Sequence, residues 1–73
     1  MRLPRISGKQ AVAALLRASF TVHRIRGSHY ILKHYQTGRR VTIPYQRQEL
    51  ALKTLHSILK QVGISPDEFS KLL

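Results

Sequence analysis

The sequence predicts an α+β fold built on a three-stranded antiparallel sheet with helices on one face. Two observations lead there. Helix rhythm appears near both ends of the chain, while the middle alternates with a period of two and is broken by Gly-Ser and Thr-Gly pairs. At 73 residues, the chain is one domain, 1–73, able to bury only about 60–65% of its unfolded surface. It has room for one small core and no deep cavity.

The elements follow in order. Ser7-Gly8-Lys9-Gln10 fits a capping box, with Ser at the N-cap and Gln three positions on. Val12, Leu15, Leu16 and Ser19 then fall at helical spacing with alanines between them, which predicts a helix over about 8–18. From Phe20 the rhythm changes to two, with Phe20 and Val22 alternating with Thr21 and His23, followed by Ile25. Gly27-Ser28 reads as a turn, and residues 29–35 as a strand rich in Tyr, Ile and Leu. Thr37-Gly38 is a second turn. Arg39 to Ile43 alternates polar with apolar until Pro44 stops the run. Three short strands joined by tight turns make an antiparallel meander.

Leu52, Leu55, Ile58, Leu59 and Val62 form an apolar stripe of period 3.6, and Gly63 stands where a C′ glycine belongs. Ser65-Pro66-Asp67-Glu68 opens a short last helix with Pro at N1 and a second capping box, and Phe69, Leu72 and Leu73 supply its apolar face. The order is α-β-β-β-α-α. Helices can cover one face of such a sheet, which leaves the other to solvent or a ligand. This order and layering look like the double-stranded RNA-binding fold, although several unrelated small folds share them.

Composition narrows the function. Thirteen Lys and Arg against three acidic residues give a net charge of +10, the footprint of a polyanion binder. Nucleic acid is the first candidate, an anionic membrane surface the second, an acidic partner protein the third. No apolar run reaches the ~18 residues of a membrane span, and Ala11–Leu16 reads as mature helix rather than a secretory segment. The absence of cysteine fits a cytoplasmic location.

With Glu49, Asp67 and Glu68 as the only carboxylates, a two-metal nuclease site is hard to build. His23, His29, His34 and His56 lack zinc-ligand spacing, and neither a nucleophile elbow nor a Walker loop is present. The expectation is no metal and no cofactor. What remains is a site of histidine and cations. RNA suits it, because its 2′-hydroxyl attacks the adjacent phosphorus once a base takes the proton. An imidazole, with an ordinary pKa of about 6.5, matches that step, and cations stabilise the charge that builds on phosphate.

The stretch "RIRGSHYILKH" concentrates these groups. His29 follows Gly27-Ser28 at a strand start and is the candidate base, with an ordinary surface histidine as the bland alternative. Gly27 either permits a tight turn or lets phosphate approach the backbone. Tyr30 and Tyr35 either pack or stack on bases. Arg24, Arg26, Lys33, Arg39 and Arg40 come from adjacent strands and form either one cationic stripe or a scattered solvated face.

The segments "SGKQAVAALLRASF", "RIRGSHYILKH", "TGRRVTIP", "TLHSILKQVGIS" and "DEF" together resemble the HicA toxins, the mRNA interferase halves of bacterial and archaeal toxin–antitoxin pairs. The likeness covers nearly the whole chain, and Gly-Ser-His with the downstream Thr-Leu block is its specific part. The resemblance implies the double-stranded RNA-binding fold, metal-independent endoribonuclease cleavage of mRNA, and neutralisation by a HicB-type antitoxin. It places catalysis on His29. Around that residue, the expectation from the residues themselves is that Gly27, Ser28 and Tyr30 support its position and that Arg24, Arg26, Lys33, Arg39 and Arg40 hold RNA. The chain departs from many members in two places. It has Ile43-Pro44-Tyr45-Gln46 where they carry a histidine shortly after the third strand, and Lys53 where they carry glycine. A non-catalytic RNA-binding module of the same fold is the alternative; a DNA-binding regulator is disfavoured because the apolar stripe of the second main helix belongs to the core.

Overall fold

A computed structural model describes residues 3–73; Met1 and Arg2 of the expected 1–73 domain lie outside the described residues. The elements are α1 (Gly8–Arg17), β1 (Phe20–Arg26), β2 (His29–His34), β3 (Arg40–Pro44), α2 (Leu52–Val62) and α3 (Pro66–Ser70). The strands form one antiparallel sheet in the order β1-β2-β3. The predicted α-β-β-β-α-α order is the observed one, with bounds that move by a residue or two.

Local chemistry accounts for the ends. Both halves of the first capping box form: the Gln10 amide donates to Ser7 Oγ at 3.1 Å, and the Ser7 amide to Gln10 Oε1 at 2.9 Å. The second box is only half made. The Glu68 amide donates to Ser65 Oγ, but the Glu68 carboxylate takes the Ser65 hydroxyl rather than its backbone amide. Gly63 closes α2 in the left-handed region, its amide bonded to the Leu59 carbonyl.

One face of the sheet is covered. Leu32, Val41 and Ile43 point from it into a core completed by Leu15, Leu55, Ile58 and Phe69, all essentially fully buried. α1 lies across β1 and β3, and α2 packs on β3. No helix among the described residues is long and apolar enough to cross a membrane. Among the described residues, no helix or strand covers the opposite face.

A close approach seats α1. An added Cβ at Gly8 would lie 1.8 Å from the Pro44 carbonyl oxygen and 3.0 Å from the Gln46 amide nitrogen. The next amide, Lys9 N–H, donates to the Gln46 carbonyl at 3.2 Å. The first turn of α1 is thus bonded directly to the chain leaving β3.

Candidate nucleic-acid interface

The β1–β2 hairpin sets the position of His29. Arg26 and His29 are the last paired residues, so Gly27 and Ser28 are a two-residue turn. Gly27 has φ 58°, whereas Ser28 is not among the residues with positive φ. That combination, glycine first, is a type II′ turn, whose twist matches that of the flanking strands. The Ser28 carbonyl also accepts the Tyr45 amide at 2.7 Å. The turn is thereby tied to the end of β3, and His29 starts β2 exposed and directly opposite both Arg26 and Pro44.

Register decides which side chains join it, because directly opposed residues share a face. Phe20, Thr21 and Val22 pair in step with His34, Lys33 and Leu32. Then the ladder shifts: Arg24 opposes Ile31, Ile25 opposes Tyr30 and Arg26 opposes His29. His23 is the extra residue of a β-bulge. Unbroken alternation from Phe20 and Val22 would carry Arg24 and Arg26 to the helix side. The one-residue slip brings them to the open side instead and leaves Ile25 on the helix side, 52% exposed. The only local trace of this in the sequence is Ile25, standing one place out of phase with Phe20 and Val22.

On β3, Arg40 opposes Lys33 and Thr42 opposes Ile31, and both are exposed. The open face therefore reads in three rows: Arg26, His29 and Pro44; Arg24, Ile31 and Thr42; Thr21, Lys33 and Arg40. Four of the five expected cations converge there with the imidazole. Among the described residues the salt bridge is Arg5 with Glu49 at 3.6 Å, so no carboxylate neutralises these four.

Two expected site residues lie elsewhere. Arg39 turns towards α2: its Nη1 donates to the Gln61 carbonyl at 3.4 Å and lies over Gly63. A guanidinium there satisfies a terminal carbonyl and complements the negative end of the helix dipole, so Arg39 braces the β2–β3 hairpin against the helix. Tyr30 points to the helix side. It stacks on Tyr45 with ring centroids 4.1 Å apart and planes at 11°, and Lys9 Nζ lies 5.4 Å from the Tyr45 ring centroid. Tyr30 thus supports the strand from behind and does not share the face of His29. Tyr45, just after β3, completes this packing.

The other histidines divide. His34 packs edge-on against Phe20 at 4.9 Å, and its Nδ1 accepts the Gln36 and Thr37 amides at 3.1 Å each. This builds it into the second hairpin. His56 is exposed on α2 and His23 is exposed at the bulge. No group of three or more potential metal ligands occurs among the described residues.

With fold and face in view, comparison with protein families is decisive. The family model described as the HicA toxin of bacterial toxin–antitoxin systems matches residues 8–64, which is most of the chain. The chain belongs to the HicA toxin family. It is accordingly a toxin of a toxin–antitoxin system, and the family implies an antitoxin partner. Comparison with curated proteins gave no match. The matched span begins at the first residue of α1 and ends just beyond the Gly63 cap. It thus contains the whole sheet, both hairpins and every residue of the open face.

Proposed function

We propose that this HicA-family chain is an endoribonuclease that cleaves mRNA with a single catalytic histidine, His29, and is neutralised by a HicB-type antitoxin. The observation that carries this reading is the shared open face: one exposed imidazole opposite Arg26, in line with Arg24, Lys33 and Arg40. The chemistry is transesterification within the substrate. His29 takes the proton of a ribose 2′-hydroxyl, whose oxygen attacks the adjacent phosphorus. The bond from phosphorus to the 5′-oxygen breaks. The leaving oxygen takes a proton from water, which reaches this exposed site freely, and the products are a 2′,3′-cyclic phosphate and a 5′-hydroxyl. Arg26, paired with His29 across the hairpin, and the cations behind it hold the phosphate and offset its growing charge. The reaction draws on no external nucleophile, metal or cofactor. The antitoxin is expected to present acidic residues to the same face, which would make association fast and sensitive to salt.

The direct test incubates the purified protein with RNA in EDTA, alongside the same sequence carrying one 2′-deoxyribose at the cleaved position. Fragments from the first and an intact bond in the second are expected. Equal cleavage of both overturns the mechanism. Intact RNA of shifted mobility would identify a non-catalytic RNA-binding module.

Salt dependence checks which cations contact RNA. Four phosphate contacts on a single strand predict a slope of about −3 for log K against log salt. Arg24→Ala, Arg26→Ala, Lys33→Ala and Arg40→Ala should each flatten that slope by roughly 0.7. Arg39→Ala should leave the slope alone and lower the melting temperature, because its guanidinium is occupied at the end of α2.

A further inference from the structure

We infer that the open face carries a remote base-stacking subsite at Tyr35, so that its ligand is single-stranded RNA extending about three nucleotides beyond the cleaved bond. This rests on the reading of that face as the RNA surface and adds the form of RNA and the reach of the site.

Tyr35 is 82% exposed, the most exposed large apolar side chain of the described residues. The contrast with the other two tyrosines is direct. Tyr30 and Tyr45 are half-buried and stacked on each other, whereas the Tyr35 ring has no aromatic partner among the described residues. Its backbone is nonetheless fixed. The Tyr35 amide donates to the Ser19 carbonyl at 3.0 Å, extending the β1–β2 ladder one step beyond the strand. The hairpin behind it is closed by His34 amide to Arg39 carbonyl at 2.8 Å, Gly38 amide to His34 carbonyl at 3.1 Å, and the two bonds to His34 Nδ1. A bare aromatic ring on an anchored backbone loses little entropy when a planar group stacks on it.

Alternation places the ring. His29, Ile31 and Lys33 occupy the open face of β2; Tyr35 opens the turn one residue past the strand, and its amide bond to Ser19 keeps it in the ladder as the next position of that series. Six residues at ~3.3 Å separate it from His29, or ~20 Å. An extended single strand advances roughly 6 Å per nucleotide, so a base about three nucleotides from the scissile phosphate reaches Tyr35, with the intervening phosphates beside Arg24, Lys33 and Arg40. Ile31 lies between as an apolar floor.

The same geometry disfavours a duplex. The three-stranded face is ~10 Å across, narrower than a double helix. Bases paired within a helix also cannot offer a face to Tyr35. Duplex recognition relies on 2′-hydroxyl and phosphate contacts across a wide minor groove, whereas an unpaired base stacked on an aromatic ring beside cations is the usual single-strand arrangement.

The test has two arms. In the first, fluorescence anisotropy measures binding of an uncleavable, fully 2′-O-methylated eight-nucleotide RNA. Tyr35→Ala and Tyr35→Leu should weaken binding about tenfold, and Tyr35→Phe should restore it to within about twofold. Tyr35 is too exposed for these changes to threaten the fold, and circular dichroism of each variant is the check. In the second, an otherwise 2′-O-methylated oligonucleotide carries one cleavable ribose, and single abasic positions are moved along it. The wild-type kcat/KM should fall most when the abasic position is about three nucleotides to one side of the ribose, and that dip should vanish in Tyr35→Ala. The inference is overturned if Tyr35→Ala or Tyr35→Leu binds like wild type, if the dip is absent, or if a duplex of the same sequence binds more tightly than the single strand. A wild-type protein that shows the first-arm pattern but cuts nothing would instead refute the nuclease reading and leave the stacking subsite standing.

Discussion

The His29→Ala protein is expected to fold like wild type and to lose RNA cleavage by a factor of about 10²–10⁴, the usual contribution of a positioned general base. The fold should survive because the imidazole is exposed and accepts or donates no hydrogen bond within the described structure. Its loss should change stability by no more than about 0.5 kcal/mol. What fixes the residue is its backbone: the II′ turn at Gly27-Ser28, the pairing with Arg26 and Pro44, and the Tyr45 amide on Ser28. None of these needs the side chain. RNA affinity should fall little, since the four cations stay in place, and growth arrest on expression should disappear. Steady-state cleavage of a fluorogenic RNA, beside thermal melts of both proteins, separates the two effects. Cleavage at the wild-type rate by His29→Ala would remove this residue from the chemistry.

Gly8→Ala is expected to have the largest effect on stability, at least about 3 kcal/mol, beyond the usual range for adding a methyl to a packed site. The new Cβ would fall 1.8 Å from a backbone carbonyl oxygen. A flexible side chain could swing away from such a contact; the Pro44 carbonyl is held in the sheet, so α1 must lift. For a domain of this size that corresponds to a melting-temperature drop of ~12–24 °C. The strain also reaches the site. Pro44 pairs with His29, and the following amide of Tyr45 holds Ser28. RNA cleavage should therefore fall even at temperatures where Gly8→Ala remains folded. Gly27→Ala offers the contrast. Its Cβ would meet nothing within 4 Å, so its cost is the positive φ alone, about 1–2 kcal/mol. A melting curve for Gly8→Ala that overlays wild type would mean that α1 is not seated against Pro44 as described.

Much of the fold could be read along the chain because its signals act over a few residues. Ser7 and Gln10 meet across one helical turn, Gly63 ends α2 by its own φ, and Gly27-Ser28 closes a hairpin between immediate neighbours. The second capping box shows the limit of such signals. Ser65 and Glu68 are rightly spaced, yet one of the two expected bonds goes to the hydroxyl instead of the backbone.

The candidate site was legible in part. His29 and its cations stand out by residue type beside a turn. Which of them share a face was not, since period two is broken at His23 by a bulge that only strand pairing reveals.

By itself the sequence determined the elements, their order, the turn that starts β2 at His29, and a strong positive charge set against three carboxylates. These depend on local backbone preference and composition. The tertiary structure decided the rest. It shifted β1 by one residue so that Arg24 and Arg26 joined His29, drew Arg39 away to the end of α2, and packed Tyr30 while leaving Tyr35 bare. It also required a residue without a side chain where α1 meets Pro44. Each of these depends on which distant backbone lies opposite, and that is fixed only when the strands pair and the helices settle on one side of the sheet.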